Sequence, residues 1–294
     1  MPILSELKPT DYQLVLHLFR SARVRHIHLD WRTLDRWLGH PYFISYVMRE
    51  DDSVQSMIAA TLNVPTDINQ PESSVEKAAW LRFMLPVQGI ISQESSLDDL
   101  WEMLRDDLLS RGIRRVGFAV IEQWTLPAIT RWGFKPETSV INLERREGDI
   151  PELPVSLPTI RDFGRRDIPF VAEVDRLAFG DPLWVYSSEI LELAWRRAAT
   201  STVIEHNDEI VGYQLSTSHV SSAHLARLAV LPEYQGKGYG GVLVGEMLRF
   251  FARRGITTIT VNTQGNNTTS QHVYERFGFK VLDYKVPIWV ADIG

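Results

Sequence analysis

The chain has 294 residues, 44% of them hydrophobic and 23% charged, with no cysteine and a formal net charge of −6. This is the mix of a globular protein long enough for two domains; its acidic balance argues against nucleic acid as a partner, and the missing thiols exclude disulfides, a zinc–thiolate site and a cysteine nucleophile. No metal is expected, and with no apolar run near the roughly 20 residues that span a bilayer and no signal-peptide layout in residues 1–6, neither is a membrane, so the expected compartment is the cytoplasm.

In chain order, a strand over 3–7 leads through the helix-start signal Lys8-Pro9-Thr10-Asp11 into a helix carrying Leu14, Leu18 and Phe19. A second helical stretch over 29–38 ends at Gly39-His40-Pro41. The β-rich runs 43–48 and 54–62 flank Glu50-Asp51-Asp52-Ser53 as a hairpin, polar residues 66–74 form a loop, and 79–85 is a further strand. Residues 96–111 predict a helix with Leu97, Leu100, Trp101, Leu104 and Leu108 inward, stopped by Gly112. A strand over 113–120, a short helix over 124–132 and a strand over 140–143 complete this half. Strands alternating with helices point to an α/β or α+β layer fold.

From Glu144 the composition changes. Arg145 to Asp149 is charged, and Pro151, Pro154 and Pro158 withdraw hydrogen-bond donors, so 148–158 reads as a linker between a domain over 1–147 and another over 159–294. The second half begins like the first, with a strand over 159–161, a helix over 167–179, and a hairpin of 202–205 with 210–215 across Asn207-Asp208. Its landmarks repeat: Arg254-Gly255-Ile256 stands 143 residues after Arg111-Gly112-Ile113, Phe277-Gly278-Phe279-Lys280 stands 145 after Trp132-Gly133-Phe134-Lys135, and Leu231-Pro232 stands 146 after Leu85-Pro86. A duplicated domain accounts for all three.

The most informative stretch is 228–244. An apolar strand ends at Leu231-Pro232, then a turn with glycines at 236, 238, 240 and 241 feeds a helix with Leu243, Val244, Met247, Leu248 and Phe251 on one face. Glycines let a ligand approach the main chain, and the first N–H groups of a helix attract an anion, so the turn predicts a phosphate cradle. A dinucleotide site is set aside because no acidic residue stands at the expected distance on a second strand. A nucleotide-triphosphate loop is excluded because Gly236-Lys237 is followed by Gly238 rather than Ser or Thr.

Gln235-x-x-Gly238-x-Gly240 after a Val-x-Pro strand end resembles the pyrophosphate loop of the GNAT superfamily of acyl-CoA N-acyltransferases. The resemblance implies two tandem GNAT-like domains, each a mixed, mostly antiparallel central sheet flanked by helices. It implies acetyl-CoA as cosubstrate, held by Leu228, Ala229, Val230, Gln235, Gly236, Lys237, Gly238, Tyr239, Gly240 and Gly241. In that family the pantetheine arm lies between two splayed strands, and an Asn, a small residue three later and a Tyr four beyond face it. Asn267, Ser270 and Tyr274 match this spacing; read without the resemblance, Asn267 is a helix N-cap and Tyr274 a packing residue.

The resemblance further implies an uncharged amine attacking the thioester, with a backbone N–H of Leu228 or Val230 at the carbonyl and Tyr274 as acid for the thiolate. His224 stands at the position where the family often carries a glutamate base; an exposed strand histidine is the other reading. Glu173 and Asp175 are weaker base candidates. The acceptor is expected at 179–186, where Trp184 and Tyr186 would cover a substrate and Asp181 would hold a cation, or where the rings simply pack.

The two halves differ where this chemistry lies. The first has Gly89-Ile90-Ile91-Ser92-Gln93-Glu94 in place of the glycine turn, Ile129 in place of Tyr274 and Glu122 in place of Asn267. One working site in a C-terminal catalytic domain is therefore expected, in a monomer whose first copy is degenerate. Arg161-Asp162, Ala178-Phe179 and the Gln235 loop resemble ribosomal-protein N-terminal acetyltransferases, whereas the two-domain layout resembles mycothiol synthases. The acceptor is thus an amine on a small molecule or a peptide N-terminus. A non-catalytic acyl-CoA sensor is the alternative.

Overall fold

The computed structural model describes residues 2–51, 53–67, 75–87, 94–152 and 159–294. All but the last residue of the first-half counterpart of the glycine turn (89–93 of 89–94), most of the polar loop (68–74) and much of the expected linker (153–158) lie outside the described residues. Contacts divide the chain into two compact units. One comprises Met1–Asn63, Lys77–Glu137 and Pro287–Gly294, and the other Val64–Glu76 and Thr138–Val286.

In the first unit, β1 (Ile3–Glu6), α1 (Tyr12–Ser21), β2 (His26–Ile27), α2 (Leu34–Trp37), β3 (Phe43–Glu50), β4 (Ser53–Asn63), β5 (Ala78–Leu85), α3 (Glu94–Ser110), β6 (Arg115–Ala119) and α4 (Leu126–Arg131) follow in order. The sheet order is β1-β3-β4-β5-β6, with β2 also on β5; only β5 and β6 run parallel. The expected stripe of α3 is buried throughout, Leu97 to Leu108 packing on Ile58, Leu81 and Phe118. On the other face Val15, Phe19 and Trp37 cover Val47, Met57 and Phe83.

The helix expected over 29–38 contracts to α2. Asp30 draws the preceding chain out of helical geometry, accepting the Arg32 N–H at 2.7 Å and the Trp37 indole N–H at 3.3 Å.

The second unit holds most of β7 (Lys135–Arg145), then β8 (Thr159–Asp162), α5 (Ile168–Phe179), α6 (Ser188–Arg197), β9 (Thr200–His206), β10 (Glu209–Ser218), β11 (Ser222–Val230), α7 (Tyr239–Ala252), β12 (Thr258–Gln264), α8 (Thr268–Arg276) and the first part of β13 (Lys280–Asp292), whose residues 288–292 pair with β6 in the first unit. The order is β7-β12-β11-β10-β9-β8, antiparallel except for β11 with β12. Each unit is thus a mixed, mostly antiparallel sheet flanked by helices. Two elements described in this unit have no sequence expectation, as β2 has none in the first. One is α6, capped by the Ser187 hydroxyl accepting the Ile190 N–H at 3.3 Å; the other is β13, whose Pro287 and charged first half hide the alternation of a strand.

Two features of β11 shape the site. Leu215 pairs with Arg227 but Ser216 with Leu225, so Ala226 is an extra residue, a bulge that reverses which side chains face which helix. Before it, Ala223 and Leu225 pack with Met247 and Phe251 of α7; after it, Leu228 and Val230 do so with Leu243, and Arg227 turns to α5. Second, pairing with β12 stops at Leu225↔Val261 while pairing with β10 continues to Val230↔Gly212. Beyond the bulge the two parallel strands part.

Candidate functional site

The Leu231 N–H donates to Val211 O on β10 at 2.9 Å. Strand alternation therefore turns the N–H groups of Leu228 and Val230 toward the edge that β12 leaves. Gln235 closes the end of this edge, its side-chain amide donating to Val230 O at 2.9 Å. Pro232–Tyr234 then form one 3₁₀ turn, and Gly236 (φ +73°) and Gly238 (φ +89°) take left-handed conformations that bend the chain into α7.

Gly240 lies within the helix and has no such constraint. A Cβ at 236, 238 or 240 would meet nothing within 4 Å, so the three leave the loop open, whereas one at Gly241 would stand 3.4 Å from the Phe277 ring. Gly241 serves the packing of α7 on α8. The first intrahelical bond runs from Val242 N–H to Gly238 O at 3.0 Å, so the N–H groups of Tyr239, Gly240 and Gly241 point out of the helix end.

An aromatic triangle holds this loop. The Tyr239 hydroxyl meets His206 Nδ1 at 3.0 Å, and Tyr234 lies 5.2 Å from His206 and 5.8 Å from Tyr239, with the Lys237 ammonium 5.0 Å above the Tyr234 ring. The loop is positioned by side chains of β9 and of its own two ends.

On α8, Asn267 is the N-cap, its Oδ1 accepting the Ser270 N–H at 3.0 Å. Ser270 and Tyr274 are neighbours on the same helical face. Tyr274 is 4% exposed, packed with Phe279 and within the cluster of Leu225 and Val261. Burial pushes its phenol upward, against the smaller pull of Ser270 and Arg227, so it stays protonated across the working pH range.

His224 lies on β11 before the bulge, its Nδ1 2.9 Å from the Thr260 hydroxyl. Burial first, then the charge of His219, hold it below the usual histidine value. It is neutral at pH 7.

The two weaker base candidates, Asp175 and Glu173, are already engaged, and so is Asp181, the expected cation holder. Asp175 is 0% exposed and accepts two bonds from Arg227, Nε to Oδ2 and Nη2 to Oδ1, both 2.7 Å. It also accepts the Tyr186 N–H at 2.7 Å and the Tyr213 hydroxyl. Glu173 is spent on Arg176, whose Nε donates at 2.9 Å. Asp181 accepts the Leu183 N–H at 2.9 Å and so braces the loop in which it lies.

Arg227 is a residue that sequence reasoning missed. Its guanidinium sits between the rings of Phe179 (3.5 Å) and Tyr186 (3.9 Å) and donates to Trp184 O at 2.6 Å, tying the 179–186 loop to the bulge of β11. A signal was present: Asp175 continues the buried stripe Ile168, Val171, Ala172, and a carboxylate there requires a cationic partner.

Residues 170–279 match the family model described as Acetyltransferase (GNAT) family. A [Ribosomal protein bS18]-alanine N-acetyltransferase of Haemophilus influenzae is 29% identical over 79 residues, 27% of this chain and 53% of that protein. A mycothiol acetyltransferase of Acidimicrobium ferrooxidans is 27% identical over 177 residues, 54% of this chain and 56% of the other. The chain spans about half the length of both. Among solved structures, a tandem GNAT protein from the clavulanic acid biosynthesis pathway superposes over 100% of this chain and 99% of that one, with a TM-score of 0.60 at 15% identity, a likeness of fold.

Proposed function

From residues 170–279 as a GNAT acetyltransferase domain, we propose that the protein is an acetyl-CoA-dependent N-acetyltransferase that passes the acyl group directly to a primary amine, on a small molecule or a peptide N-terminus. The observation that carries this reading is the gap where β11 leaves β12, which runs from the bulge to the open glycine loop at the start of α7. The residues present fit the cosubstrate. Outward N–H groups and two left-handed glycines suit a pyrophosphate, and the N–H groups of Leu228 and Val230 suit an amide-bearing arm laid beside the strand. Bound acetyl-CoA supplies an activated thioester.

The chain's own groups then divide the work. The edge N–H of Leu228 or Val230 donates to the carbonyl oxygen as charge gathers there. The Tyr274 hydroxyl, kept protonated, donates to the departing sulfur. Neutral His224 takes the proton of the amine. The relatives' names give a ribosomal-protein alanine and mycothiol, which favours a compact amine against the braced 179–186 loop. We also read residues 1–147 and 159–294 as two copies of one domain acting as a monomer.

Tyr274→Phe is expected to lower kcat by about 100-fold with little change in KM for acetyl-CoA, since it removes a proton donor and leaves the ring in place. For His224→Asn, kcat/KM against pH is the measurement. With its pKa depressed, His224 loses its proton-accepting form only below the ordinary value of about 6.5, so the acid limb attributable to it lies under that pH and disappears in the variant. The general test is release of free thiol from acetyl-CoA across a panel of small amines and peptides. Binding without thiol release for any amine would replace this reading with acyl-CoA sensing.

A further inference from the structure

β5 of the first unit repeats both features of β11. Ala59 pairs with Phe83 but Ala60 with Leu81, which makes Arg82 a bulge. Its parallel pairing with β6 ends at Trp80↔Gly117, while pairing with β4 runs on to Leu85↔Met57. Here too the parallel neighbours part beyond the bulge.

In the second unit no described strand pairs with the edge so exposed. In the first unit one does: His26 pairs with Met84 and Ile27 with Phe83. A strand has two edges, and β4 already holds the other one at these residues through Ala59 and Ile58. β2 therefore lies on the edge that β6 leaves. Met84 stands two residues past the bulge, as Leu228 does in β11, so β2 meets β5 at the level where the second unit turns its Leu228 N–H outward.

Four further contacts fix β2 there. The His28 N–H donates to Arg82 O at 2.9 Å, and the Arg82 guanidinium returns a bond to His28 O at 3.2 Å. The His26 ring, 0% exposed, lies 4.4 Å from Phe118 of β6 and places Nδ1 2.7 Å from a carboxylate oxygen of Glu122. Glu122 is the residue that replaces Asn267. The bulge residue is a long cation in this copy and Ala226 in the other, so the side chain that clamps β2 has no counterpart in the second unit.

We propose that residues 26–28, the two-residue strand β2 with His28 after it, are a built-in occupant of the first unit's acyl-CoA slot, standing where the amide-bearing arm of the cosubstrate would lie, so that the protein binds a single equivalent of acetyl-CoA, in the second unit. The inference rests on the reading of the second unit given above. It also gives the first copy's substitutions a cause beyond the loss of glycines: Glu122 holds the occupant's histidine, and Arg82 holds its backbone.

Calorimetric titration of acetyl-CoA into the full chain, joined to hydrogen exchange, tests it. One equivalent is expected, with exchange slowed over 226–231 and 236–241 and unchanged within about twofold over 26–28 and 79–85. Two equivalents, or faster exchange at 26–28 on adding acetyl-CoA, would overturn the occupied slot while leaving the second unit's site standing. Absence of binding would instead sink the reading of the second unit. In Gly238→Glu no equivalent is expected; a remaining equivalent accompanied by altered exchange at 79–85 would also count against the occupant.

Discussion

Acetyl-CoA affinity is expected to fall by at least about 100-fold in Gly238→Glu, equivalent to about 2.7 kcal/mol. Two effects add. The position has φ +89°, which a residue with a Cβ holds at a cost of roughly 1–2 kcal/mol, so the variant's free loop relaxes out of this conformation and must regain it to bind. The new carboxylate also stands at the N-terminus of α7, where the unpaired N–H groups of Tyr239, Gly240 and Gly241 would otherwise meet a phosphate, and like charge repels the ligand. Gly238→Ala separates the two. Because a Cβ there meets nothing within 4 Å, that variant carries the backbone cost alone, and its affinity should fall by about tenfold. Titration calorimetry on both variants, with circular dichroism to show retained folding, checks the pair. Wild-type affinity in Gly238→Glu would remove the phosphate from this loop.

Much of this site was legible because glycine and apolar periodicity are local signals. Gly236 and Gly238 take the left-handed conformations that their spacing suggests, and the α3 stripe from Leu97 to Leu108 is buried as its period requires. What stayed hidden was non-local. No residue type marks Arg82 or Ala226 as a bulge, since the extra residue is defined only by the register of the partner strand. β2 is two residues long, too short for any alternation to register, and its meaning depends on Met84, which lies 58 residues away. Asn267, by contrast, performs the N-cap that its place before α8 announces, its Oδ1 engaged by the Ser270 N–H. Nor does the sequence disclose that Ile288–Asp292 pair with β6, because Pro287 and the charged residues before it hide the alternation of a strand and the partner lies far back in the chain.

Breaking the Asp175–Arg227 pair should give the largest loss of stability. Arg227→Ala is expected to cost about 3–5 kcal/mol, because Asp175 would remain buried without a compensating cation. The remaining donors to Asp175, the Tyr186 N–H and the Tyr213 hydroxyl, satisfy its lone pairs but carry no full charge. The double variant Asp175→Leu/Arg227→Met should recover a large part of that loss, since apolar groups of similar volume remove the unpaired charge along with its partner. Recovery will be incomplete: Trp184 O loses its donor, Tyr213 loses its acceptor, and the rings of Phe179 and Tyr186 lose the cation between them. Denaturant midpoints for the two single variants and the double one measure the coupling directly. The same series separates structure from function. If the guanidinium's role is to brace the 179–186 loop against the bulge, the folded double variant keeps wild-type affinity for acetyl-CoA, whose predicted contacts lie on the edge of β11 beyond the bulge, on the loop before α7 and on α8, because β10 still holds that edge in register. Its KM for the amine should rise, because Trp184 and Tyr186 are no longer anchored. Equal losses for both substrates would instead show that the pair holds the strand itself, and that the acceptor loop is not what it positions.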